Sequence, residues 1–188
     1  MTATGPVDRA AFRHAMSLWT TGVTVVSAHA EGTDAGLTVN AFLSVSLDPP
    51  SVLVGLTNDV DTLPVVERSR AFAVSILAAD QRDVSDRFAR AIPSAEKFRG
   101  VPVHRGVTGA VLIDRALGWL ECRVTAILPV HDHRLVVGEV VRLEAGRESG
   151  PLVFFRSGYA ESEGPDTLRL PPPRAPPAGD APADRSRS

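Results

Sequence analysis

The stretch "AGLTVNAFLSVSLDPPSVLVGLT", residues 35–57, decides how this chain is read. β-Branched and aromatic residues, punctuated by Gly, Asp and Pro, make it two apolar strands meeting at "LDPP". Hydroxyls and an amide (Thr38, Asn40, Ser44, Ser46) are nevertheless threaded along the first. Strands that only pack need few such groups. Residues two apart on a strand share a face, so Thr38 and Asn40 point one way. Ser44 and Ser46 share a face too if the strand runs on past Phe42. Small polar side chains let a flat ligand approach the main chain closely. Free N–H and C=O groups on a strand edge suit a planar heterocycle with a donor–acceptor rim.

The surrounding sequence is mostly strand. "VTVVSAHA" (23–30), "RAFAVSIL" (70–77), "GWLECRVTAILPV" (118–130), "RLVVGEVVRLEAG" (134–146) and "PLVFFRS" (151–157) share the β-rich composition. An amphipathic helix is expected in "DRAAFRHAMSLWTTG" (8–22), capped by Asp8, with Phe12, Ala15, Met16 and Trp19 on one face and Gly22 after its end. Two shorter helices are expected in "DTLPVVERS" (61–69) and "AADQRDVSDRFAR" (78–90). Short strands outnumber helices and do not alternate with them. That pattern disfavours a doubly wound parallel sheet and predicts a mainly β, antiparallel barrel with a few packed helices.

The composition breaks near residue 162. "EGPDTLRLPPPRAPPAGDAPADRSRS" (163–188) is rich in proline and has no aromatic residue. Too little apolar surface is available there to offset the entropy of ordering, so one domain at 1–162 and a Pro-rich disordered tail at 163–188 are expected. "LPPPRAPP" is also a candidate polyproline ligand. The formal net charge of −2 gives no general attraction to nucleic acid or an anionic membrane. A single cysteine, Cys122, cannot form an internal disulfide, and it lies in the apolar "WLECRV" as a small hydrophobe. With no apolar run of about 18 residues and no signal-peptide core, the expectation is a cytoplasmic protein that does not enter a membrane.

Familiar chemical signatures are missing: GxGxxG after a strand, GxxxxGK[ST], HExxH and GxSxG do not occur. "HDH" at 131–133 reads either as part of a metal site or as a hairpin turn. The turn is the commoner explanation, since a metal needs three or four arranged ligands, and no metal is expected.

Two further elements bear on a ligand. In "VLVGLTNDVDTLPVVERS" a strand ends at Thr57, a polar turn follows, and a helix starts near Asp61 or Thr62 with Pro64 in its first turn. Such a start offers amides and a positive dipole end to a phosphate, with Thr62 adding a hydroxyl. Simple capping by Asp61 is the alternative. In "SDRFARAIPSAEKFRGVPV", Arg87, Arg90, Lys97 and Arg99 lie near Phe88 and Phe98. They form either a solvated charged face or the counter-charge of a phosphate.

Taken in this order, the elements resemble the short-chain flavin reductases, the FMN-binding split-barrel family. The resemblance runs over about residues 10–160, through "FRHAMSLWTTGVTVVSA", "GLTVNAFLSVSLDPPSVLVGL", "FAVSILAADQRDVSDRFA", "KFRGVPV", "GAVLIDRALGWLECRV", "HDHRLVVGEV" and "PLVFFRSGY". It implies a split antiparallel β-barrel forming a homodimer, with FMN or FAD near the subunit interface, reduced by NADH or NADPH. It also implies that reduced flavin diffuses to a partner monooxygenase or halogenase. Carried onto this chain, Thr38, Val39, Asn40 and Ala41 would line the isoalloxazine, and Ser44, Val45 and Ser46 would continue that wall. Asn58, Asp61 and Thr62 would approach the ribityl phosphate, while Phe88, Ala89 and Lys97 match a later flavin-side segment. His133 matches the histidine of the family's "GDH" triplet beside the nicotinamide, with His131 in place of the glycine, and Tyr159 would flank the nicotinamide pocket. The rival classes are a flavin-binding protein that does not turn over pyridine nucleotide and a flavin-dependent oxidase acting directly on a small molecule.

Overall fold

The computed structural model describes residues 6–162 and the strand Leu168–Arg169; the rest of the stretch expected to be a tail lies outside the described residues. The Asp8 carboxylate accepts hydrogen bonds from the Ala10 and Ala11 amides, both at 3.0 Å, and opens α1 (Arg9–Ser17). Leu18 closes that helix, so Trp19 lies past its end rather than on its face. Then follow β1 (Thr21–Gly22), β2 (Thr24–Ala30), β3 (Thr33–Val39), β4 (Phe42–Leu47) and β5 (Pro50–Thr57). Next come α2 (Thr62–Ser69), β6 (Ala71–Ile76), a 3-10 turn (Ala79–Gln81), α3 (Arg82–Phe88) and α4 (Ser94–Phe98). The chain continues through β7 (Val103–Arg105), β8 (Val111–Ile113), β9 (Gly118–Val130) and β10 (His133–Ala145). It ends in β11 (Leu152–Phe155), β12 (Gly158–Ser162) and β13 (Leu168–Arg169).

Seven strands form one antiparallel sheet in the order β3-β2-β6-β9-β10-β5-β4. Its two edge strands, β3 and β4, are joined by Asn40 and Ala41 alone. Two residues bridge about 10 Å at most, so the outer edges of a seven-stranded sheet must come together. The sheet therefore curls into a barrel that is split between β3 and β4. The Gly55 amide donates to the Ala41 carbonyl at 2.9 Å and fixes the link against β5. Inside the curl sit Val26, Val54, Leu56, Phe72, Val74 and Val136, all fully buried. Each contributes about 1.5–3 kcal/mol on leaving water.

A smaller sheet, β1-β11-β12-β13, lies beside the barrel. Val23, Val25, Leu77, Phe88, Ile113 and Leu152 form a second core cluster, extended by Phe154 and Tyr159 from that sheet. Gly36 on β3 makes room for α3 and α4: a Cβ there would lie 2.9 Å from the Phe98 ring and 3.2 Å from the Phe88 ring. The two rings meet edge to face at 4.9 Å. This pair anchors the helices that form one wall of the site.

One expectation about β4 is corrected. Ser44 pairs with Val52 and Ser46 with Ser51, leaving Val45 as the extra residue of a bulge. Consecutive residues on β5 face opposite ways, so Ser44 and Ser46 are on opposite faces. The bulge breaks the period of two on which the sequence reading relied.

Candidate functional site

The split between β3 and β4 opens onto three adjoining hollows. The middle one is a recess of about 300 Å³ lined by Val23, Thr38, Asn40, Ala89, Phe154 and Tyr159. Thr38 and Ala89 are shared with a basin of about 560 Å³ that also takes in Thr57, Asp61 and Lys97. Val23, Asn40 and Phe154 are shared with a cleft of about 760 Å³ under α1, floored by Ala41, Gly55 and Leu135. Thr38 near the end of β3 and Asn40 in the link after it both border the groove, while Val39 between them turns into the core.

Thr38 Oγ1 donates to the Ser85 carbonyl at 2.6 Å, and Ser85 Oγ lies 2.9 Å from the Tyr159 hydroxyl. Ser85 is fully buried and ties β3, α3 and β12 together at the recess. Nothing in the sequence marks it, because a serine within a short polar helix looks like solvent-facing surface. Burial pushes the Tyr159 phenol above its ordinary value, with the Ser85 hydrogen bond acting the other way. The Arg82 guanidinium lies 5.3 Å from the centre of the Tyr159 ring.

The basin carries charge of both signs, with Asp59 and Asp61 facing Arg90 and Lys97. Lys97 is only 6% exposed, and its ammonium donates to the Gly36 carbonyl at 3.3 Å. Burial holds its pKa below the ordinary value, and the charge of Asp61 opposes that shift. Asp61 does not cap α2. Its carboxylate accepts from the Ser94 amide and hydroxyl, both at 3.2 Å, and so organises the start of α4 beside Lys97. Thr62 is also placed differently from the expectation: it is 1% exposed and faces inward, presenting no hydroxyl to the groove. The Phe88 ring is wholly buried and supports the basin wall from behind, leaving Ala89 at the surface.

Asn58 does not line the basin, although its neighbours Thr57 and Asp59 do. Its carboxamide donates to the His131 carbonyl at 3.0 Å and accepts from Arg134 at 2.8 Å, while its amide donates to the Asp132 carbonyl at 3.0 Å. It locks the "HDH" turn. His131 adopts φ +51° there, the left-handed conformation that glycine tolerates best. Among the described residues no group of three or more His, Cys, Asp or Glu side chains is arranged to hold a metal.

His133 Nδ1 lies 2.8 Å from the Asp132 carboxylate, which is held below its ordinary pKa by that hydrogen bond, with the charge of Arg9 adding to the effect. An ionised carboxylate only accepts, so Nδ1–H donates and Nε2 is left for a ligand. His133 opens β10 opposite Thr57, on the sheet face that carries Gly55 and Leu135. His133 itself lines none of the three hollows; it stands two residues along β10 from Leu135, which floors the cleft, and opposite Thr57, which borders the basin. Ser44, Val45 and Ser46 lie along the exposed β4 edge and line none of the three hollows. Cys122 is fully buried with its thiol pushed up to about 12 by burial, which makes it inert packing.

The donor set fits a flat heterocycle with an anionic tail. Small residues at Thr38, Asn40, Ala41 and Gly55 leave the main chain open to a ring, and a Cβ on Gly55 would come within 3.1 Å of the Ala41 Cβ. Beyond the recess the buried ammonium of Lys97 lies in the basin with the Asp61 carboxylate nearby. A split antiparallel barrel with this groove defines a flavin-binding class of protein.

Residues 16–163 match the flavin reductase like domain, and the chain belongs to that family. It is 39% identical over 150 residues to the reductase component of 4-hydroxyphenylacetate 3-monooxygenase from Thermus thermophilus, covering 79% of this chain and 93% of that protein. It is 38% identical over 155 residues to the FMN reductase (NADH) SmoA of Agrobacterium fabrum, covering 82% and 87%. The structure of a Streptomyces globisporus NADH:FAD oxidoreductase with NAD and FAD fragments superposes with a TM-score of 0.79 at 30% identity, covering 88% of this chain and 99% of that one.

Proposed function

We propose that this protein is an NAD(P)H-dependent flavin reductase that moves hydride from nicotinamide to FMN or FAD and supplies reduced flavin to a partner monooxygenase or halogenase. The observation that carries this reading is the continuous groove from the small-residue wall at Thr38–Ala41 to the buried ammonium of Lys97. Bound flavin supplies the two-electron acceptor, and the chemistry is the cofactor's own. The chain's task is to hold two rings at reactive distance. Thr38, Asn40 and Ala41 form the wall against the isoalloxazine, Lys97 neutralises its phosphate, and Ala89 and Tyr159 limit the recess. His133, with its ring oriented by Asp132, presents Nε2 to the nicotinamide carboxamide. No protein nucleophile is required.

A homodimer suits the surface. Phe12, Met16 and Trp19 on and after α1, and Leu43, Val45 and Leu47 on β4, are exposed apolar side chains beside the cleft, with Leu47 at 90%. An apolar face of this kind at an edge strand calls for a partner, and a second copy would enclose the flavin. Among the described residues no helix is long and apolar enough to cross a membrane, and a cytoplasmic location is part of the same proposal.

The test is steady-state oxidation of NADH and NADPH with FMN, FAD and riboflavin as acceptors, alongside fluorescence titration of each flavin. Turnover with saturable quenching is expected. Quenching without turnover would leave only a flavin carrier, and no saturable quenching would remove the flavin site altogether.

A further inference from the structure

The middle recess is flanked on both sides, and each flank carries a cation. Lys97 serves the basin. On the opposite side, the cleft under α1 is walled by apolar and small polar residues, and among the described residues Arg13 is the only charged side chain lining it. Arg13 has no ion-pair partner among the described residues. Arg9 stands one turn earlier on the same helical face. Arg9 and Arg13 therefore form a short cationic stripe along α1, with Arg13 at the cleft.

Two flat rings stacked at the recess would each trail an anionic tail. The basin takes one tail, and the cleft under α1, which borders the face proposed for the second copy, has the volume and the cation for the other. We propose that Arg13, with Arg9 beside it, binds the pyrophosphate of the reduced pyridine dinucleotide in the cleft under α1. This rests on the flavin reductase reading above and adds the element that selects the hydride donor. Guanidinium groups suit phosphate because their fork of donors matches two oxygens at once.

The experiment compares wild type with Arg13→Gln and Arg13→Lys, using NADH and dihydronicotinamide riboside, which has no phosphate, as donors. Arg13→Gln should raise KM for NADH about tenfold with kcat retained, as expected for loss of a charge-assisted contact. KM for the riboside should not change, Arg13→Lys should fall between, and added salt should narrow the gap for NADH alone. FMN and riboflavin titrations of the variant should match wild type. An unchanged KM for NADH overturns the proposal, as does an equal rise for the riboside. Selective weakening of FMN relative to riboflavin would assign Arg13 to the flavin phosphate and also overturn it. So would a change in sedimentation mass, which would place Arg13 in a subunit contact. Wild type that fails to oxidise NADH at all would instead refute the underlying reductase reading, before any variant is compared.

Discussion

Replacing Lys97 by Met removes the buried ammonium of the basin while keeping a flexible chain of similar length. The side chain is 6% exposed, so solvent screens its charge little, and its one protein hydrogen bond, to the Gly36 carbonyl, is long at 3.3 Å. A hydrogen bond to a charged partner is worth about 1.5–3 kcal/mol. At 1.4 kcal/mol per factor of ten, Kd for FMN should rise about 10- to 150-fold. Riboflavin has the same ring and no phosphate, so its Kd should stay within about twofold of wild type. The pH dependence has a defined sign. Burial holds Lys97 below the ordinary 10.5, so FMN affinity should fall with rising pH through that lowered value while riboflavin affinity does not. In the ligand-free protein the unfolded chain keeps the proton to higher pH than the folded one. Stability from this group therefore increases with pH in the window below 10.5 and is constant outside it. Fluorescence quenching titrations of both flavins from pH 7 to 10 measure the effect. Equal weakening of FMN and riboflavin, or no weakening of either, would refute the assignment of Lys97 to the phosphate.

His133→Ala should raise KM for the pyridine nucleotide about fivefold, the loss of one ordinary hydrogen bond, and leave flavin Kd unchanged; unaltered NAD(P)H kinetics would remove His133 from the site. Gly36→Ala forces a Cβ to within 2.9 Å of the Phe98 ring, so overpacking of about 1–3 kcal/mol should lower Tm, and an unchanged or higher Tm would contradict the packing of α3 and α4 on β3. Asp34 is pushed up by burial, but hydrogen bonds from Arg105 and His29 and their charges outweigh this and hold its carboxyl below the ordinary 3.8. Its contribution is therefore complete above that value and disappears as pH falls through the lower folded one. The urea midpoint of Asp34→Asn should lie below wild type at neutral pH and converge with it in acid; a gap that persists at pH 2 would count against the ion-pair account.

Local rules and the tertiary structure contributed different parts of this description. Long strands with clear alternation, β9 and β10 above all, were legible because thirteen residues on a pleated surface average out local exceptions. The short pieces β1, β7, β8, β12 and α4 were not, since two to five residues carry no measurable period. Val45 shows where the period fails: one bulged residue reverses the facing of everything after it, and no residue type announces a bulge. Asp61, Thr62 and Asn58 looked alike as polar residues at a helix start, yet they bond to Ser94, face the core and pin a distant turn respectively.

By itself the sequence determined the types of the longer elements, the antiparallel β class, and the opposite facing of Thr38 and Val39 on β3. Those follow from backbone geometry, which acts over a few residues. Only the tertiary structure decided that β3 and β4 are the two edges of one curled sheet, that Ser85 joins three walls of a recess, and that Lys97 is buried while its neighbouring arginines are not. Burial and ligand geometry depend on residues tens of positions apart meeting at one place, and local spacing has no access to that meeting.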